Sequence, residues 1–162
     1  MGKILIADYE KCNGCTYCML ACSMAHENEV QRSKSRIKVY KLESEAIGIP
    51  MLCEHCTEPT CIPVCPVNAI GKDPKTGIVS IDVGVCTGCR LCVDACPYKA
   101  IMIYPEKNIA FTCDLCGGDP VCAKVCLPGA ITWVDVVPST VWRKKDRAEK
   151  RVKALKHVLE VW

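Results

Sequence analysis

The chain has 162 residues, half of them apolar, with a formal charge of +3 and 16 cysteines against a single phenylalanine. That length suits one compact domain, or one domain with an appendage. The opening MGKILIA carries a four-residue apolar stretch, too short for the core of an export signal, and no apolar run approaches the ~18 residues needed to cross a bilayer. The chain is therefore expected in the cytoplasm, where such cysteine density indicates metal binding and not the disulfide scaffold of a small secreted protein. The positive charge is nominal, because sixteen cysteines binding metal as thiolates would add enough negative charge to make the loaded chain acidic. Nucleic-acid binding thereby loses its compositional support.

The first cysteine group is CNGCTYCMLAC, with Cys12, Cys15, Cys18 and Cys22. A strand is predicted over Ile37–Lys41. The second group, CEHCTEPTCIPVCP, holds Cys53, Cys56, Cys61 and Cys65. The turn DPKTG (Asp73–Gly77) then leads into a strand at Ile78–Ile81. The third group, CTGCRLCVDACP, holds Cys86, Cys89, Cys92 and Cys96, and is followed by strands at Met102–Tyr104 and Ile109–Phe111 about the turn PEKN. The fourth group, CDLCGGDPVCAKVC, holds Cys113, Cys116, Cys122 and Cys126, and a last strand is expected at Ile131–Val134.

The third group fits the run C-x2-C-x2-C-x3-C-P of bacterial ferredoxins. In that run three thiolates wrap one cube, and the fourth cysteine reaches the neighbouring cluster, so the motifs work in reciprocal pairs. Zinc sites use two separated cysteine pairs and do not show a triple plus one. The repeat continues past the fourth cysteine, with PVNAI after Cys65, PYKAI after Cys96 and LPGAI after Cys126. In each, an Ala and an Ile fall four and five residues on (Ala69/Ile70, Ala100/Ile101, Ala130/Ile131). The Ile is expected to cover a cluster and begin a strand. The fourth group keeps this cover despite its irregular spacing, so it is read as a working ligand loop. Gly14, Gly88, Gly117 and Gly118 either let backbone N–H groups approach sulfur or serve simply as turn glycines. His26 and His55 have no base–nucleophile neighbourhood and are assigned solvated or hydrogen-bonding roles. No P-loop, dinucleotide fingerprint, pterin or flavin signature is present, so no catalytic site is expected.

Two pairings of the groups are conceivable: first with second and third with fourth, or an inner pair of second and third enclosed by first and fourth. Linker lengths favour the inner pair, since 20 residues separate Cys65 from Cys86 while 30 separate Cys22 from Cys53. Both inner groups also end in Cys-Pro, whereas Ser23 follows Cys22.

On these motifs the chain resembles the four-cluster iron–sulfur subunits of molybdenum- and tungsten-pterin oxidoreductases, such as those of formate dehydrogenases and dimethyl sulfoxide reductase. The likeness covers residues 3 to about 135. It includes the four-residue insertion in the second group and the longer one in the fourth. The segment AHENEVQRSKSRIKVY, followed by IPMLCEHCTEPTC, is similar to the small electron-transfer subunits of tungsten aldehyde oxidoreductases and benzoyl-CoA reductases. The resemblance implies four [4Fe-4S] clusters. Cys12, Cys15, Cys18 and Cys126 would hold the first, and Cys22, Cys113, Cys116 and Cys122 the second. Cys53, Cys56, Cys61 and Cys96 would hold the third, and Cys65, Cys86, Cys89 and Cys92 the fourth. Unlike relatives that carry a three-iron cluster, this chain lacks none of the ligands. It departs from the family in being short, without a long insertion between motifs and without a C-terminal membrane anchor.

The expected fold is α+β: two pseudo-symmetric, bacterial-ferredoxin-like dicluster modules in tandem, built of small antiparallel strand pairs and short helices around the clusters, with a C-terminal helix. The four-cluster domain spans 1–137, with an inner module at about 50–105 and an outer one from 1–49 and 106–137. Residues 138–162 form an amphipathic basic helix. Pro138 and Ser139 cap it, Thr140–Val161 is its body, and Ala148, Val152, Leu155, Leu159 and Trp162 make its apolar stripe. Arg143, Lys144, Lys145, Arg147, Lys150, Arg151, Lys153 and Lys156 fill most of the remainder. Three uses fit that pattern: packing on its own domain, docking on a partner or a second copy, and contact with a membrane surface.

The function expected is that of a non-catalytic electron-transfer subunit. It would relay single electrons between a large catalytic metallopterin subunit, of aldehyde oxidoreductase type, and a further redox partner such as a flavin subunit or ferredoxin. A chain this size has a radius of gyration of about 15 Å, so four clusters must lie close together. The alternative is a free-standing polyferredoxin, and self-association into a longer wire is a further expectation.

Overall fold

The computed structural model describes residues 2–161. Among the described residues eight strands form four separate antiparallel pairs: three are hairpins between successive cysteine groups, and one closes around all four groups. β1 (Lys3–Ala7) pairs with β8 (Ile131–Asp135), from Lys3 opposite Asp135 to Ala7 opposite Ile131. This contact ties the start of the chain to the segment after the last cysteine. β2 (Lys38–Leu42) and β3 (Ile47–Met51) form a hairpin between the first and second cysteine groups. β4 (Ile70–Lys72) and β5 (Val79–Ile81) join the second group to the third, and β6 (Met102–Ile103) and β7 (Ala110–Phe111) join the third to the fourth.

The turns form for the reasons read in the sequence. In DPKTG the Asp73 carboxylate accepts from the N–H of Lys75 (2.7 Å) and of Thr76 (3.3 Å), and Gly77 takes φ +71°. In the β6–β7 turn Asn108 takes φ +50° and donates its N–H to Tyr104 O (2.9 Å). Strands β1 and β3 were not anticipated. β3 reads IGIPM, and Gly48 and Pro50 argue against a strand unless its edge is free, which it is in a two-stranded pair.

The helices are α1 (Tyr17–Glu27), α2 (Leu91–Ala95), α3 (Val121–Lys124) and α4 (Pro138–Val161). α1 is longer than the single turn expected, and it ends where Asn28 turns left-handed (φ +52°). α1 packs against α3, bringing the first and fourth cysteine groups together. α4 starts two residues before the predicted body, with Pro138 in the first turn, where its missing N–H costs nothing. The Thr140 hydroxyl accepts the Val137 N–H (2.9 Å).

Buried apolar side chains gather in three clusters. One surrounds Leu5, Met19, Ile37, Leu52 and Ile131; a second surrounds Ile70, Val79, Ile101 and Ala110. The third joins Leu42, Ile49 and Met51 of the β2–β3 hairpin to Leu155 and Val158 of α4. The C-terminal helix therefore packs on its own domain. Its buried face runs through Ala148, Arg151, Leu155 and Val158, so the predicted stripe holds at Ala148 and Leu155, with Val152 half-buried; Leu159 is 57% exposed, and Trp162 lies outside the described residues. Arg151, assigned from the sequence to the basic face, is 1% exposed because it meets the buried carboxylate of Glu54. Among the described residues no helix is long and apolar enough to cross a membrane.

Candidate metal centres

All four cysteine loops share one backbone feature. The second residue after the first cysteine is left-handed in every group: Gly14 (φ +70°), His55 (+48°), Gly88 (+70°) and Leu115 (+58°). That conformation turns the chain back over the first sulfur. The N–H of His55 reaches Cys53 Sγ (3.4 Å), the N–H of Leu115 reaches Cys113 Sγ (3.4 Å), and Gly14 donates to Cys12 in the same way. Glycine occupies this place twice because no side-chain penalty attaches to positive φ. At Gly88 the space is also closed, since a Cβ there would lie 1.9 Å from Asn108 O.

A second shared feature underlies the PVNAI, PYKAI and LPGAI segments. The third residue after each fourth cysteine is also left-handed, at Asn68 (+53°), Lys99 (+48°) and Gly129 (+66°), and its N–H closes a turn on the cysteine carbonyl. The following Ala and Ile are buried in all three. Ile70 opens β4 and Ile131 opens β8, as predicted, while Ile101 immediately precedes β6. The Ala69 N–H donates to Cys65 Sγ and the Ile131 N–H to Cys126 Sγ, both at 3.2 Å. The Ala110 N–H reaches Cys86 Sγ at 3.3 Å.

The thiols lie in small companies. One apolar cavity is lined by Cys65, Cys86, Cys89 and Cys92, with Ile70, Ile81 and Ala110 closing it. Another is lined by Cys53, Cys56, Cys61 and Cys96, with Val79 and Ile101 among its walls. In the outer part of the fold, burial pushes the Cys18 thiol up to about 12, and the neighbouring Cys12, Cys126 and Cys15 add to the rise. Burial likewise raises Cys122, and Cys113, Cys22, Cys116 and Cys18 oppose its ionisation further. Cys113 is driven up to about 12 by burial, and Cys53 and Cys61 to about 11. Four sulfurs that hinder one another's ionisation in an apolar setting need a cation among them to become thiolates together. A donor set of soft sulfur, met by backbone N–H groups, fits iron–sulfur clusters.

Of the three histidines, His26 and His55 lie beside the cysteine loops and take hydrogen-bonding roles. His26 Nδ1 donates to Cys22 O (2.8 Å), and its Nε2 lies 3.0 Å from Asp114 Oδ1. His55 Nδ1 accepts from the Val79 N–H (3.0 Å), and burial lowers its pKa to about 4. Gly117 and Gly118 are left-handed and open to solvent, so they are turn residues of the longer fourth loop, whereas Pro120 is fully buried. Sequence reasoning passed over Arg36, Asp114 and Glu54. Asp114 and Glu54 each follow a ligand-loop cysteine directly, which was the available signal. Arg36 had none, because its partner Asp114 is 78 residues away.

The fold and its sulfur sites define a small iron–sulfur protein. Residues 44–136, more than half of the chain, match the 4Fe-4S dicluster domain family, and the chain belongs to that family. It is 40% identical over 117 residues to the polyferredoxin-like subunit of aliphatic sulfonate oxidoreductase from Pyrococcus furiosus, covering 72% of this chain and 67% of that protein. It is 36% identical over 113 residues to a tetrathionate reductase subunit from Archaeoglobus fulgidus, covering 70% of this chain but about half, 54%, of that relative. The active-site complex BamBC of benzoyl-CoA reductase contains a chain that overlays with a TM-score of 0.49 at 28% identity, covering 84% of this chain and 80% of that one.

Proposed function

We propose that this chain is the electron-transfer subunit of an oxidoreductase complex and carries four [4Fe-4S] clusters. The observation that supports this most directly is the pair of cavities each lined by four thiols, with the other eight thiols gathered in the outer part of the fold. Cys12, Cys15, Cys18 and Cys126 would hold one cluster; Cys22, Cys113, Cys116 and Cys122 the next; Cys53, Cys56, Cys61 and Cys96 the third; Cys65, Cys86, Cys89 and Cys92 the last. When bound, each cluster takes up and gives back single electrons at a potential tuned by its surroundings.

The protein supplies order and insulation. Cys122 feels Cys18, Cys113 feels Cys53, and Cys96 caps the helix that carries Cys92, so the four sets succeed one another along the molecule. Cys15 and Cys89, in the first and last sets, are the exposed cysteines, while Cys22, Cys113 and Cys122 of the second set are buried. Electrons would therefore enter and leave near Cys15 and Cys89. Two of the three apolar clusters follow a division into an outer module (1–49 and 106–137) and an inner one (about 50–105), related as tandem dicluster units, with Leu52 and Ala110 each crossing the boundary.

The partner at one end would be a catalytic subunit of metallopterin type, and at the other a flavin subunit or a ferredoxin, in the cytoplasm. α4 spends its buried face internally, but Val141 and Trp142 at its start remain exposed, Trp142 at 69%. They support a permanent interface over a free-standing shuttle. Single Cys→Ser variants test the reading. Native protein should contain about sixteen iron and sixteen sulfide per chain. Cys126→Ser and Cys15→Ser should alter the same paramagnetic signal; if Cys126→Ser instead alters the signal lost in Cys113→Ser, the ligand sets are wrong.

A further inference from the structure

Beside the second set of thiols lies an ion pair that the relay does not explain. Arg36, just before β2, directs its backbone N–H to Cys22 Sγ (3.3 Å) and pairs its guanidinium Nη1 with Asp114 Oδ2. The Arg36 Nε is buried and finds no partner in the protein, although a guanidinium has five N–H donors and burying one unpaired is costly. The Arg36 backbone thus serves the first loop, at Cys22, while its guanidinium reaches the fourth loop beside Cys113 and Cys116. Asp114 directly follows Cys113, and its carboxylate accepts the Cys116 N–H at 2.9 Å. Cation and carboxylate thus press on one group of sulfurs with opposite signs. His26, Asp114 and Cys116 also bring their ligand atoms within 4.8 Å of one another. There the cation is Arg36, and the His26 ring nitrogens are both engaged, so this trio is the frame of the ion pair and not a separate metal site.

We propose that the Arg36–Asp114 pair sets the reduction potential of the cluster that Cys22, Cys113, Cys116 and Cys122 would hold. Arg36 makes that cluster easier to reduce, and Asp114 limits the effect. The inference rests on the ligand assignment made above. An added electron is stabilised by a nearby cation and by N–H donors to sulfur, and destabilised by a carboxylate. Arg36 supplies both favourable elements, with its unpaired Nε the donor left over for the cluster. It is a positioning residue, since it ligates nothing. Because this set stands second in the series, its potential governs whether electrons rest within the molecule or pass through.

The test is an anaerobic redox titration of the holoprotein followed by electron paramagnetic resonance. It compares Arg36→Gln, Arg36→Lys, Asp114→Asn and the Gln/Asn double variant, with iron counted in each. Arg36→Gln should lower one potential by about tenfold in electron affinity, which is about 59 mV for a one-electron couple. Asp114→Asn, which keeps an oxygen for the Cys116 N–H, should raise the same potential, and the double variant should fall between. Arg36→Lys keeps the charge and should shift less than Arg36→Gln. Loosened packing would not produce opposite signs from the two halves of one pair. If Arg36→Gln fails to load fully, Asp114→Asn and Arg36→Lys decide the matter. Fully loaded Asp114→Asn protein with four native potentials overturns the proposal, as does loss of a cluster in Arg36→Lys. A Cys22→Ser control separates the two inferences: a shift in a signal that Cys22→Ser leaves intact means the ligand assignment is wrong, whereas no shift at all means the ion pair is idle.

Discussion

The attachment of α4 depends on a buried ion pair whose loss should be directly measurable. Arg151 Nη1 donates to Pro50 O (2.8 Å), its Nη2 pairs with Glu54 Oε1, and its Nε reaches Arg147 O (3.3 Å). Glu54 adjoins Cys53, so this one side chain ties the C-terminal helix to a ligand loop. Arg151→Ala removes one member of a buried pair, a change that costs about 3–5 kcal/mol because the other charge is left without its partner. Lys144 remains 3.8 Å from the Glu54 carboxylate, which places the loss at the lower end, about 3 kcal/mol. At 1.36 kcal/mol per decade that is roughly 150-fold in the opening equilibrium of the helix. Hydrogen exchange of α4 amides in the anaerobic holoprotein reads this quantity directly. Arg151→Met combined with Glu54→Leu should lose much less, since no buried charge is stranded. An Arg151→Ala protein whose α4 protection stays within about threefold of native, the margin expected between unconnected sites, would refute this account of how the helix is held.

Gly48→Ala should disturb the first ligand loop from outside it. The new Cβ would lie 2.7 Å from Gly14 Cα and 2.9 Å from Cys12 Sγ, so iron should fall by about four per chain, from the proposed total of about sixteen. Gly71→Ala, with nothing within 4 Å of its Cβ, is the control and should load fully. Gly88→Ala meets Asn108 O at 1.9 Å in addition to a φ of +70°, and should yield protein lacking the cluster of Cys65, Cys86, Cys89 and Cys92, again read by iron content and by the missing paramagnetic signal. Removing iron with a chelator should abolish amide protection in β4–β5 and β6–β7. Ladders of two or three residues are not stable alone and depend on what they enclose. Retained protection in these strands would show that the apolar clusters suffice without metal.

Local features were legible in the sequence because they are set by neighbours a few residues apart. The cysteine spacings, the Ala-Ile covers and the turns DPKTG and PEKN all rest on short-range backbone conformation, and strands β2 and β5 to β8 were found within one or two residues for the same reason. β1 was missed because KILIA has no local turn to announce it and its partner β8 lies at the far end of the chain. β3 was missed because Gly48 and Pro50 read as strand breakers. The glycine is there for close approach to the loop of Cys12, which no local pattern reports. α4 was found from its periodicity, but the direction of its face was misjudged at Arg151, where a carboxylate 97 residues away outweighs the cost of burying a cation.

The sequence by itself determined the chemistry: sixteen soft donors at spacings that let a loop wrap a metal cluster, with apolar covers placed after three of the four groups. Linker lengths favoured pairing the two inner groups, but a fourth cysteine that points away from its own loop does not by itself say where it arrives. The resemblance alone supplied destinations for those cysteines, and only the folded chain brought Cys126 near Cys12 and Cys18, and Cys22 near Cys116. It did so through β1 pairing with β8 and α1 packing on α3, contacts between the two ends of the chain that exist only once the chain is folded.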